Sequence, residues 1–200
     1  MVFTPEDYQR VREHFVQIDG MLHFILDKHG FLPPGPKRNL FATLIGSVIG
    51  QRIKFEKARN LRRALYLKCG TDDFTPEQIW DLGLSGLISC GIGPIPSETI
   101  LRVAHHLLQN NLQLIHISDL KLVEEIKGIG PWTLGCTKIM HSLNQDEGNF
   151  DDTLLYSDLI IRRALKQLYG WTTKEQIIAG TQCWSPWKGI LTVYLWKEFS

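Results

Sequence analysis

The run Ile126-Lys127-Gly128-Ile129-Gly130-Pro131-Trp132-Thr133 constrains the fold of this chain more than any other segment. It encodes a helix end, a two-glycine hairpin and a new helix start within eight residues. Upstream, Leu122, Val123 and Ile126 share one face at helical spacing, with Ser118 or Asp119 available as N-cap, so the pattern predicts a helix over 119–127. Gly128 supplies the left-handed backbone that stops that helix. Pro131 suits the first turn of the next one, where a missing N–H costs nothing. Amides of Gly128 and Gly130 beside a helix N-terminus suit an anion such as a phosphate, although the same run would serve as an ordinary turn between packed helices.

The rest of the chain also reads as helix. Thr4-Pro5-Glu6-Asp7, Thr75-Pro76-Glu77 and Pro96-Ser97-Glu98 place caps, prolines and acids where helices begin, and no stretch alternates for long with the period of a strand. Helices are expected over 5–20, 21–28, 39–49, 54–69, 75–82, 85–89, 97–110, 131–143, 158–169, 173–179 and 186–199. Turn-forming or polar loops at 31–36 and 144–152 cut the chain into three parts. Packing considerations leave open whether the first and third parts join; if they do, a cleft falls at the two loops.

Hydrophobic residues make up 44% of the 200, enough for a packed core. The apolar stretch from Leu40 to Ile49 is interrupted by Thr43, Gly46 and Ser47 and is too short to span a bilayer. Glu6, Asp7 and Arg10 break up the N-terminus, which carries no signal-peptide apolar region. Cys69, Cys90, Cys136 and Cys183 are far apart with no Cys-x-x-Cys pair, so neither an iron–sulfur cluster nor a zinc site is expected, and reduced thiols imply an intracellular setting. With a net charge of +1, contact with nucleic acid has to rely on local patches. One candidate is Arg52, Lys54, Lys57, Arg59, Arg62 and Arg63 against the single acid Glu56; such a run is either a solvated helix face or a phosphate contact.

Further on, Ser157-Asp158-Leu159-Ile160-Ile161-Arg162-Arg163-Ala164 puts a carboxylate at the start of an apolar, arginine-bearing helix, where the helix dipole stabilises it. Four motifs now stand in order: Leu44 to Ile53 with its Gln51-Arg52 turn, the Ile126–Thr133 hairpin, the Asp158 helix, and Trp184-Ser185-Pro186-Trp187-Lys188 with Tyr194-Leu195-Trp196. Together they resemble the helix-hairpin-helix DNA glycosylase superfamily over about residues 38–197, and within it the alkylbase glycosylases of the 3-methyladenine type.

The resemblance implies an all-α fold of two helical lobes with a central cleft. One lobe is formed by 1–36 plus 145–200, the other by 37–144, ending in the helix-hairpin-helix at 119–143; a Gly/Pro region and the catalytic aspartate follow. It implies double-stranded DNA with damaged bases as partner and hydrolysis of the N-glycosidic bond of alkylated purines in base excision repair. A base inside a duplex is unreachable, so the nucleotide is extruded and a side chain fills the stack. Gln51 and Arg52 match the wedge region; Arg52 departs from the usual leucine, glutamine or asparagine and either intercalates or holds a phosphate. Asp158 matches the catalytic aspartate that stabilises an oxocarbenium-like sugar or orients water. Trp132 stands where strand-nicking relatives carry a nucleophilic lysine, which points to a monofunctional enzyme. Trp132 and Trp196 match aromatic positions of the base pocket, attractive to a cationic alkylated base. Cys136 replaces a frequent aromatic, widening the pocket or making it less selective for cations. Trp184 and Trp187 are read as a corner that holds the last helix.

Lys127, Gly128, Ile129 and Gly130 would contact the DNA backbone. Gly128 and Gly130 would also carry a structural monovalent cation, Na or K, through backbone groups when DNA is bound, with no cofactor required. A monomer is expected, in a prokaryotic cytoplasm or a eukaryotic nucleus, with no membrane association. Asp152 is a rival to Asp158 because its separation from Trp132 is nearer the family's, and Tyr156 replaces a proline common before the aspartate. Two other functions remain open: a non-catalytic reader of damaged or abasic DNA, and a glycosylase for oxidised or deaminated bases.

Overall fold

The computed structural model describes residues 2–144 and 150–200. Among these the chain is helical without a strand, and no helix is long and apolar enough to cross a membrane. The helices are α1 (Pro5–Ile18), α2 (Gly20–His29), α3 (Leu40–Gly50), α4 (Phe55–Cys69), α5 (Pro76–Ser89), α6 (Pro94–Gln109), α7 (Pro131–Asn144), α8 (Leu159–Tyr169), α9 (Lys174–Gly180) and α10 (Lys188–Phe199), with 3₁₀ turns at Ile117–Leu122 and Gln182–Trp184. The predicted caps are in place at two starts, since Thr4 and Asp7 form a capping box, as do Thr75 and Gln78.

Several expected boundaries move. The two segments predicted at 75–82 and 85–89 form one element, α5, broken at Gly83, whose φ is 65°. Helix α6 begins at Pro94 rather than at Ser97, because Pro94 and Pro96 both fall in a first turn that needs no N–H from them. The helix expected over 119–127 is not an α-helix. Residues 117–122 form a 3₁₀ helix and the chain continues in tight turns. The reason lies in the spacing: Ile117, Leu120, Val123 and Ile126 recur every three residues, which aligns side chains in a 3₁₀ helix of three residues per turn. The backbone bonds follow the same step, from Val123 N to Leu120 O (3.2 Å), Ile126 N to Val123 O (3.1 Å) and Ile129 N to Ile126 O (2.9 Å).

The described chain divides into two compact units, 1–37 with 138–200, and 38–137. One boundary lies within α7 rather than in the polar segment after it; of that expected loop, residues 145–149 lie outside the described residues. In the unit of residues 38–137, α3 is apolar nearly all round, and Leu40, Phe41, Leu44, Ile45, Val48 and Ile49 are all buried. A helix of that kind has to be central, and α4 and α6 pack on it while α5 pairs with α6 and α4. Leu120, Val123 and Ile129 join the same core, so the segment leading into the hairpin is anchored by its side chains.

The unit formed from both ends packs α1 on α2, and α10 on both α2 and α8. Trp184 is almost fully buried there, with its ring 6.5 Å from Phe15 and 5.9 Å from Tyr169. Together with the cis Ser185–Pro186 peptide it forms the corner before α10, the core role expected of it. Trp187 is half-buried as the N-cap residue of α10, its ring 6.2 Å from Phe150.

Gly189, in the first turn of α10, meets the backbone at Asp151: an added Cβ would collide with the Asp151 carbonyl oxygen and stand 3.4 Å from Ile139 Cγ1. Neither the helix nor the carbonyl is the flexible end of a side chain. Gly189→Ala is therefore expected to destabilise the protein by about 3 kcal/mol, lowering Tm by about 6–12 °C. A thermal melt with an unchanged midpoint would refute this close approach.

Candidate active site

In the unit of residues 38–137 the hairpin is built from a buried side chain and a presented backbone. Ile129 is 7% exposed, whereas Gly128 is exposed and Gly130 half-buried. Gly128 has φ 103°, a backbone that L side chains rarely adopt, and a Cβ there would drive into the side chain of Thr99. Among the described residues the amides of Gly128 and Gly130 donate no hydrogen bond, and α7 starts at Pro131 immediately beyond. Backbone donors left open beside a helix N-terminus are of the kind that suits an anion.

The hairpin is held from a distant part of the chain. Gln51 Nε2 donates to the Gly128 carbonyl (2.9 Å) and to Thr133 Oγ1 (2.7 Å). The Lys127 carbonyl accepts from Arg102 Nη1 (3.2 Å), and Arg102 is steadied by Glu98 at 2.8 Å. The side chain of Lys127 is exposed. Gln51, expected with Arg52 in the wedge region, thus turns its side chain to the hairpin, through bonds that no local pattern signals. Thr99, Arg102 and Thr133 were not singled out from the sequence. Their only signal is polarity at positions that turn out to face the hairpin.

Arg52 follows Gln51 on an exposed turn with φ 57°. A non-glycine residue in the left-handed region costs about 1 kcal/mol, and such strain persists where the surroundings over-determine the backbone. Trp132 is half-buried, one residue into α7, and Cys136 is buried one turn later. The edge of the Trp132 ring lies over Gly50, with Cη2 3.9 Å from the place of a Gly50 Cβ.

In the other unit, Asp158 is the N-cap of α8 and 8% exposed. Its Oδ1 accepts from the amides of Ile160 (2.8 Å) and Ile161 (3.0 Å). Two backbone donors and the positive end of the helix dipole fix a carboxylate in one orientation. Trp196 is half-buried on α10, which packs against α8. The rival carboxylate is occupied elsewhere. Asp152 Oδ2 accepts from Ser185 Oγ (2.6 Å) and Oδ1 from the amide of Lys188 (3.0 Å), with Lys188 Nζ at 3.5 Å, so it caps the start of α10. Asp151 turns its Oδ1 to the amide of Thr153 (2.9 Å). Tyr156, in the place of the family's proline, is exposed with Lys174 Nζ 5.1 Å above its ring.

No cluster of three or more histidine, cysteine or acidic residues suited to a metal ion occurs among the described residues. The carbonyls of Gly128 and Gly130 each accept one hydrogen bond, from Gln51 and from the amide of Leu134 (3.1 Å). Each keeps a second lone pair.

No family model matches the chain. It is 25% identical over 205 residues to the alkylbase DNA glycosidase-like protein mag2 of Schizosaccharomyces pombe, covering 96% of this chain and 93% of that one. Its fold matches that of the Schizosaccharomyces pombe 3-methyladenine DNA glycosylase Mag1, solved with abasic DNA, at a TM-score of 0.74 and 21% identity over 94% of this chain and 95% of the other. The DNA-3-methyladenine glycosidase of Bacillus halodurans matches at a TM-score of 0.65 and 25% identity, over 95% and 88% of the two chains. The chain thus has the fold of these glycosylases over nearly their whole length, and in sequence it is similar, at 25% identity, to an alkylbase DNA glycosidase-like protein and to a DNA-3-methyladenine glycosidase.

Proposed function

We propose that this protein is a monofunctional DNA glycosylase that removes alkylated purines by hydrolysing the N-glycosidic bond. The observation that carries the reading is Asp158, a buried carboxylate whose Oδ1 is pinned by two amides at the start of α8. Cleavage of the bond leaves positive charge on the sugar, and a fixed carboxylate in a poorly solvated site stabilises it without reorganising. The hairpin amides would hold a phosphate of the damaged strand, with a monovalent cation on the carbonyls of Gly128 and Gly130 completing the grip. Arg52, strained and exposed, would enter or brace the stack. Trp132 in place of a lysine leaves no amine at that position to form a Schiff base. A substrate in DNA sets the work of the protein inside the cell.

The test is release of free base from duplexes treated with a methylating agent and from duplexes carrying an etheno adduct. Release of at least one alkylated purine, with no covalent adduct trapped by borohydride, is expected. No release from any alkylated duplex would overturn the reading in favour of a non-catalytic reader of damage. A trapped adduct would instead establish lyase chemistry.

A further inference from the structure

Within the basic run of α4, Arg62 leaves the solvated row. Arg52, Lys54, Lys57, Arg59 and Arg63 are exposed, but Arg62 is half-buried and its side chain runs along α3. At Gly46 its Cδ is 3.3 Å from where a Cβ would stand, and Nη1 donates to the Gly46 carbonyl at 3.2 Å. One turn later, at Gly50, Arg62 Nη1 and Trp132 Cη2 lie 3.8 and 3.9 Å from the same point. Two glycines four residues apart thus form a slot that carries a guanidinium to the edge of the Trp132 ring. Among the described residues no carboxylate pairs with it. Its neighbours are the Phe55 ring at 5.9 Å, Tyr66, Cys136 and a second cation, Arg38. Burial pulls its pKa below the usual arginine value, yet a guanidinium keeps its charge at neutral pH.

We propose that Arg62 is a specificity-determining residue, which makes the pocket beside Trp132 favour uncharged alkylated purines, such as etheno adducts, over cationic N-alkylpurines. This rests on the glycosylase reading in one respect, that Trp132 and Cys136 wall the base pocket. The ring of Trp132 attracts a cationic base by roughly two- to thirtyfold. Arg62 Nη1 and the ring edge lie 3.8 and 3.9 Å from one point, and at an effective dielectric near 20 a like charge at the roughly 8 Å this allows opposes a cation by on the order of thirtyfold, enough to offset the ring's attraction. Unused guanidinium N–H groups also offer donors to the acceptor edge of a neutral purine, which a positively charged base is poorer at using.

Binding, rather than turnover, separates this inference from the enzymatic one. The probes are two duplexes resistant to cleavage, one with 2′-fluoroarabino-7-methylguanine, which is cationic, and one with 7-deaza-7-methylguanine, its uncharged isostere. Wild-type protein is expected to bind the uncharged duplex about fivefold or more tightly. Arg62→Met should abolish or reverse that ratio, while Arg62→Lys should keep its direction. Equal or tighter binding of the cationic duplex by wild type overturns the proposal, as does an unchanged ratio in a folded Arg62→Met protein. Should Arg62→Met fail to fold, the wild-type ratio decides alone. A protein that shows the preference but releases no base would sink only the glycosylase reading; one that releases base but binds both duplexes equally would sink only the role of Arg62.

Discussion

Asp158→Asn is expected to lower single-turnover base release by about 10³-fold while leaving DNA affinity and Tm close to wild type. The separation of effects follows from where the carboxylate sits. As N-cap of α8, Asp158 accepts from the amides of Ile160 and Ile161 through one oxygen. An asparagine amide oxygen accepts the same two bonds and is as good a cap, so the helix start survives. What disappears is the negative charge that would face the developing positive charge on the sugar, and losing one preorganised electrostatic group of this kind costs about 10²–10³-fold or more. Asp158→Ala should lose the activity and, in addition, about 1 kcal/mol of stability with the cap. Asp152→Asn is the control: its oxygens cap α10 through Ser185 and Lys188, so it should cost stability modestly and leave base release nearly unchanged. Undiminished release from Asp158→Asn would remove the aspartate from the mechanism, and loss of release in Asp152→Asn with its fold intact would transfer the role.

The second large effect concerns the hairpin. Gly128→Ala should weaken binding to any duplex by at least about tenfold and destabilise the protein by about 2–4 kcal/mol. At φ 103° an alanine pays about 1–3 kcal/mol for the backbone alone. Its Cβ would also meet Thr99, with Cγ2 at 2.7 Å and Oγ1 closer still, so the hairpin has to move away from the α6 face on which it rests. Moving it breaks the Gln51 bond to the Gly128 carbonyl and turns the amides from the place where they would meet a phosphate. Gly130→Ala, with nothing within 4 Å of the new Cβ, should behave nearly as wild type. Thr99→Ala combined with Gly128→Ala should recover part of the stability, since it removes the two nearest atoms but not the backbone cost. Titration of a fluorescent duplex, alongside thermal melts of the three variants, reads both quantities. Equal losses at Gly128 and Gly130 would show that neither conformation nor Thr99 matters there.

The features legible in the sequence are those whose cause lies within a few residues. Thr4 with Asp7, Thr75 with Gln78 and Asp158 with the two amides after it are contacts over two or three positions, so residue types announce them. The left-handed backbone of Gly128 and the start at Pro131 are legible for the same reason, since each residue's own backbone preference decides them, although no helix runs up to Gly128. The segment 117–126 marks the limit of such local reading: over so short a run, a repeat of three is hard to tell from one of 3.6, and only the ladder of backbone bonds three residues apart identifies the 3₁₀ form.

Other features came only from tertiary structure, because their causes are distant in the chain. Gln51 bonds to residues 77 and 82 positions away, and no local preference encodes that. Asp151, Asp152 and Asp158 are equivalent as residue types; what separates them is that α10, over thirty positions on, takes up Asp152 as a cap. Arg62 looks like any member of a solvated basic helix until two glycines of α3 open a slot for it and Trp132 closes the end. Sequence alone determined most of the helices, the two-glycine turn before Pro131 and the capped carboxylate. Which of the like-charged residues stay in solvent and which are drawn beside the site was decided by packing, since burial of a long side chain depends on the volume that other helices leave for it.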